Sequence, residues 1–292
     1  AQRHRQGQVL MSGYLSGVVA ILCINVIFAY AIFVTAASGQ LNLGGAGFQA
    51  IGAYACAILS AEFGLPLPVT ILAATAVGAL VGFLVAFPFL RTRGVYTVLA
   101  TFAFAEVVAG VILNSEYLGG AVGLAMVDFV EVGVILPIAI LVVLFVFYLM
   151  STRVGLAMRA VHDDEPVADL MGVNNRAIQV GCFALGGALA GLSGALYALF
   201  FGFVEVQYFN ALLSVFVLLY VLIGGTQTAW GPLIGAAVFT LIPEALRIGD
   251  DWRFLIFGVI IVVMMIVRPQ GLVTRDLLER IGQRLSPAQR HA

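Results

Sequence analysis

Lysine is absent from this chain; all fourteen of its basic residues are arginine. A P-loop needs its lysine on the phosphates, so ATP binding by that motif is excluded, as is Schiff-base catalysis. Charge of either sign is scarce: charged residues make up 10% of the 292 positions, against about 25% in soluble domains. Hydrophobic residues make up 62%, and mean hydropathy is +1.09. That composition belongs to an integral membrane protein. The formal net charge of −1, with no basic run, offers nothing to hold nucleic acid. Histidine is confined to His4, His162 and His291, all outside the apolar runs. Cys23, Cys56 and Cys182 are isolated within apolar runs and read as small buried hydrophobes, not as a disulfide framework or a metal site. No Ser–His–Asp set, metal-ligand spacing or glycine-rich phosphate loop is available, so the chain is expected to bind no cofactor of its own and not to be an enzyme.

What is there in abundance is apolar sequence, cut by short polar stretches. Runs at 9–37, 66–90, 94–113, 132–150, 177–203 and 254–267 each read as a span. The run at 9–37 follows Arg3, His4 and Arg5 but exceeds a signal peptide's apolar core, so an uncleaved span is expected. The positive-inside bias then places both termini in the cytoplasm, along with Arg91, Arg93, Arg153, Arg159 and Arg176. The arginine-free loop 114–131, with Glu116, Asp128 and Glu131, belongs outside, as do residues 205–210 and 247–252.

Two segments break the pattern with glycine and amides. Residues 38–54 hold Gln40, Asn42, Gly44, Gly45, Gly47, Gln49 and Tyr54; residues 224–232 hold Gly224, Gly225, Thr226, Gln227 and Pro232. Glycine frees backbone that lipid cannot satisfy, so both read as broken or re-entrant helices, or as small-residue packing faces. Charge parity gives the first a further meaning. With Arg3/Arg5 and Arg91/Arg93 on one side, one of the first three apolar runs cannot cross fully; with Arg3 and Arg5 outside instead, all three cross, since the charge rule is statistical. The expected fold is therefore all-α and polytopic, about eight spans of roughly 20 residues. Two spans are interrupted, in corresponding positions of pseudo-repeated halves, which points to a path at the repeat interface. The whole chain, 1–292, reads as one transmembrane domain with a cytoplasmic loop at 153–176.

That loop carries the longest strongly polar interruption, from Arg159 to Gly172. Pro166 suits a first helical turn, the acidic residues before it suit the N-terminal dipole, and Gly172 suits the position past the end. Val167, Leu170 and Met171 share one apolar face. So short a helix needs something to pack against: a docking partner, or the headgroups or its own bundle. Among single residues, Glu106 stands mid-span, where a carboxylate costs about 2.5–3.5 kcal/mol, so an interior position is expected. Gln40, Asn42, Thr97, Thr101, Thr226 and Gln227 are candidate path-lining groups for a small polar solute, or partners for glycine-freed backbone; Gly44, Gly45, Tyr54, Glu106 and Gly225 complete the candidate path.

Four stretches, in order, carry a resemblance: Gly39-Gln-Leu-Asn-Leu-Gly with Ile51-Gly-Ala-Tyr54; Arg93-Gly-Val-Tyr-Thr-Val-Leu-Ala-Thr101 with Phe104-Ala-Glu106; Gly155-Leu-Ala-Met-Arg-Ala-Val161 through Glu165, Ala168 and Gly172; and Gly224-Gly225 with Gly231-Pro-Leu-Ile-Gly235 and Arg268-Pro-Gln-Gly-Leu272. They cover residues 38 to 272. Together they resemble the permeases of branched-chain amino-acid ABC importers, in particular the M-type subunit. The resemblance implies half of a solute path in the bacterial inner membrane, for a branched-chain amino acid first, with urea or an amide as alternatives. It implies a second permease (an H-type paralogue), two cytoplasmic ATP-binding subunits that carry the ATP and Mg, and a periplasmic solute-binding protein. It also implies a coupling role for Arg159, Glu165, Val167, Ala168, Leu170, Met171 and Gly172. The competing reading is a stand-alone secondary transporter or channel, which would place several ionisable groups mid-membrane where this chain has only Glu106.

Overall fold

The computed structural model describes residues 2–92, 94–126, 128–246, 258, 259 and 262. The helices are α1 (Gln2–Ala36), α2 (Gly45–Phe63), α3 (Leu67–Phe89), α4 (Val95–Leu113), α5 (Val132–Ser151), α6 (Arg153–Asp163), α7 (Glu165–Leu170), α8 (Asn175–Phe201), α9 (Ala211–Gly224) and α10 (Trp230–Leu246). Six of them, α1 to α5 and α8, are long and apolar enough to cross a membrane. At 14 and 17 residues, α9 and α10 fall short of the roughly 20 a full crossing takes. The polytopic all-α architecture is borne out. Of the expected span at 254–267 only residues 258, 259 and 262 are described, and they are helical; the outside loop at 247–252, the Arg268–Leu272 motif and the arginine-rich tail lie outside the described residues.

The 27-residue α8 is the axis of the bundle, packed against α1, α2 and α3. In lipid, apolar side chains gain nothing by leaving the solvent for one another, so association depends on close backbone approach. Glycine provides it. A methyl group added to Gly52 would overlap the Gly191 carbonyl, and one on Gly78 would overlap that of Gly187. Gly82 meets the Phe183 carbonyl, and Gly194 meets that of Gln49. In the run at 177–203 the small residues Gly186, Gly187, Gly191, Ser193 and Gly194 by themselves mark a tight helix–helix face, and the glycines of α8 form it.

Two ends of the bundle are distinct. At one, α6 and α7 lie beside the α1–α2 loop, where the Gly39 backbone abuts His162. At the other, a two-residue antiparallel ladder pairs Leu124 with Val204 and Ala125 with Phe203. Nearby, Ser60 donates to Asp128 (2.7 Å) and Tyr117 to Glu62 (2.6 Å). The bond to Glu62 pushes the Tyr117 phenol above its ordinary value.

Two expectations are corrected by this arrangement. Residues 45–54 are not part of a broken helix: the interruption ends at Gly44, and α2 then runs unbroken to Phe63. And none of the first three apolar runs stops short. The Tyr14 hydroxyl bonds Glu244 near the far end of α10, whereas Trp230 at the start of α10 packs on Phe147, next to α6. So α1 runs from the far end to the α6/α7 end, α2 returns, and α3 comes back again. The start of α1 and the 153–176 loop therefore lie at opposite ends, which a shared cytoplasmic side does not allow. The charge bias is a statistical preference, and here helix pairing overrides it.

Replacing Gly187 by valine forces apart the α3 and α8 backbones at their closest approach. We expect a loss of at least about 1–3 kcal/mol. It would be read as a lowered midpoint for heat-induced labelling of the buried thiols Cys23, Cys56 and Cys182 in detergent. An unchanged midpoint would contradict the backbone-contact account.

Candidate functional site

An open cavity of about 1030 Å³, walled by both polar and apolar groups, lies at the α6/α7 end. Its walls come from the α1–α2 loop (Ser38, Gln40), the α3–α4 turn (Arg91, Thr92), α6–α7 (His162, Glu165) and the start of α8 (Asn175, Gln179). Of the path-lining candidates, Gln40 and Thr97 reach this cavity. Asn42, Gly44 and Thr101 form the structure behind it. The Leu43 N–H donates to Thr101 Oγ1 (3.0 Å), the Gly44 N–H to Asn42 Oδ1 (2.8 Å), and the Ala46 N–H to Ser214 Oγ (2.7 Å). These side chains satisfy backbone donors at the start of α2, as a low-dielectric setting demands. Gly45 lies against Phe28 and Ile32, and Gly44 against Phe104 and the Thr101 carbonyl.

Other candidates lie apart. Thr226 and Gln227 line a separate cleft of about 90 Å³ with Ala37, Met150, Arg159 and His162. Gly225, at φ +114°, makes the turn between α9 and α10 that brings them there. Tyr54 is buried further along α2, its hydroxyl without a partner among the described residues. Glu106 is not interior, as its mid-span position led us to expect: α4 turns it to the exposed side of the bundle. The sequence gives its depth but not its azimuth.

Sequence reasoning did not single out several cavity groups, notably His162, Asn175 and Gln179. They are spread over 18 positions with no motif, and only the packing of α7 on α8 joins them. Gln49, an amide of the interrupted segment, is 1% exposed, and its side-chain carbonyl is unpaired among the described residues.

The α6–α7 segment is a built projection. Gly155 lets α6 fold back on the end of α5, where Met158 and Val161 are buried and Arg159 Nη2 donates to the Met150 carbonyl (3.2 Å). Asp164 caps α7 by accepting from the Val167 N–H (3.1 Å), and Gly172 closes it at φ +82°. Two bonds from α8 hold α7 in place. Asn175 donates to the Glu165 carbonyl (2.7 Å), and Gln179 to Glu165 Oε1 (2.5 Å). Ala168 is buried and Val167 half exposed, whereas Leu170 is 87% and Met171 80% exposed. Among the described residues the apolar tip rests on nothing else.

A family model described as branched-chain amino acid transport system / permease component matches residues 14–267. The chain belongs to this family. It is 32% identical over 272 residues to the high-affinity branched-chain amino acid transport system permease protein LivM of Escherichia coli K12, covering 81% of this chain and 64% of that protein. A probable LivM permease of Methanocaldococcus jannaschii is 24% identical over 230 residues, 70% of this chain and 67% of that one. The permease protein LivH of E. coli K12 matches at 24% over 137 residues, 46% of this chain and 44% of its own. No solved structure matches the chain. The resemblance to M-type permeases is thereby borne out, and the chain is a multi-pass membrane protein that spans just under two thirds of the E. coli LivM length.

Within this permease fold, Thr101→Val leaves the Leu43 N–H unmet. We expect a cost of about 1–3 kcal/mol and faster hydrogen exchange at residues 40–46, measured by mass spectrometry. Unchanged exchange would show that water takes over the role.

Proposed function

We propose that the chain is the M-type permease subunit of an ATP-driven ABC importer, forming half of the path for a small amino-acid-like solute. The observation that carries this reading is the α7 tip. Leu170 and Met171 stand clear of the bundle, while Glu165, in the same short helix, is tied to α8 by two hydrogen bonds. A six-residue helix is unstable alone. This one is braced at its base and apolar at its end, which suits a separate cytoplasmic ATPase that pushes on it. Force applied there passes through Gln179 into α8, the helix on which α1, α2 and α3 pack.

The relatives' names make a branched-chain amino acid the first choice of solute, with urea or an amide as alternatives. Matches to both LivM and LivH favour a heterodimer with an H-type permease. Two ATP-binding subunits would carry the ATP and Mg, and a periplasmic protein would deliver the solute. With α6 and α7 in the cytoplasm of a bacterial inner membrane, the Gly13 end of α1 faces the periplasm.

Leu170→Asp places a charge in the docking contact and is expected to lower ATP-driven uptake in proteoliposomes more than tenfold, with membrane insertion intact. Wild-type uptake by that variant would overturn the coupling claim. Uptake by this chain alone, without ATP, would install the stand-alone carrier in its place.

A further inference from the structure

The outward faces of the spans are not alike. On α3 the exposed large side chains are Leu72, Leu80, Phe83, Leu84 and Phe87; on α5 they include Ile140, Leu141, Leu144 and Phe145. Both faces are what lipid tails solvate. The exposed face of α4 is also largely apolar, with Val95, Tyr96, Leu99, Phe102, Val107 and Val111, but of the three it alone carries a carboxylate mid-span. That carboxylate, Glu106, follows Leu99 and Ala103 on the exposed face at helical spacing, and a side chain at the half-buried Gly110 one turn on would meet open space. Glu106 has no hydrogen-bond or ion-pair partner among the described residues. It lies eleven residues from the start of α4 and seven from its end, too deep for a short carboxylate side chain to reach either boundary. Turned to lipid, this group alone costs about 2.5–3.5 kcal/mol.

We propose that this face of α4 is the contact for the second permease chain, and that the partner differs in sequence and presents a hydrogen-bond donor or a basic group to Glu106. Small residues either side of the carboxylate allow a close approach. Charge argues against a second copy of this chain. A two-fold axis normal to the membrane brings both α4 helices together at equal depth, which sets Glu106 against Glu106. No arginine falls inside any apolar run of this chain to offset that pairing. A different chain with a donor at that depth removes the conflict. This inference rests on the two-permease reading above and adds which face is used and what the partner brings to it.

The test places a photo-crosslinking amino acid at Ala103 or Val107 of α4, and at Leu141 of α5 as a lipid-facing reference, in the complex within native membranes. We expect positions 103 and 107 to capture a single second membrane chain and position 141 to capture lipid. Glu106→Gln, which still accepts a hydrogen bond, is expected to keep the cross-link within about twofold. Glu106→Leu, content in lipid, is expected to lower it about tenfold or more. If the second permease co-purifies but only another face captures it, or if a second copy of this chain is captured at 103, this inference fails while the two-permease reading survives. If the chain purifies with no second permease and no position captures one, the underlying reading fails.

Discussion

Backbone-to-backbone contact along α8 is the constraint from which the rest of this molecule follows. Because lipid removes the hydrophobic drive between helices, α1, α2 and α3 hold to α8 where glycine lets main chains touch. At Gly52–Gly191, Gly78–Gly187 and Gly194–Gln49 a single methyl group is excluded. That closeness leaves little room for sliding. In the proposed importer, a displacement at the Asn175 end of α8 would be carried along the helix to its partners, with α8 as a lever.

At that end the chain gathers its unusual features. The α1–α2 loop dips into the bundle, with Leu43, Gly44 and Ala46 bonded to side chains from three different elements. The α9–α10 turn reaches Arg159 and His162 from the other side. Between them, α6 and α7 form a braced projection whose base is Glu165 and whose tip is Leu170 and Met171. The cavity lies against this projection, so whatever moves α7 changes the cavity's wall. In the proposed importer, that proximity joins ATP-driven motion to the opening of a path.

The sequence made some of this legible. Pro166, the acidic residues before it and Gly172 marked the limits of α7, since capping chemistry is local. Gly186, Gly187, Gly191 and Gly194 marked the tight face of α8 for the same reason: small size is visible in the letter. Orientation was not. Arg3 and Arg5 suggested a side for α1 that the Tyr14–Glu244 contact contradicts, because which end a helix enters from depends on what it pairs with. Azimuth was hidden too. The position of Glu106 along α4 is a count of residues, but its direction depends on which side of α4 meets α2. Nor did a polar residue's neighbourhood reveal its use: Asn42 and Thr101 serve the backbone of α2, while Gln40, two residues away, reaches the cavity.

The account stands or falls on whether this chain is driven by another. The most direct measurement purifies it from native membranes in mild detergent, identifies the chains that come with it and reconstitutes the whole for solute uptake. The account predicts recovery of a Walker-motif ATPase and a second permease, with uptake that requires ATP and the solute-binding protein. A chain that purifies alone and transports without ATP would contradict it.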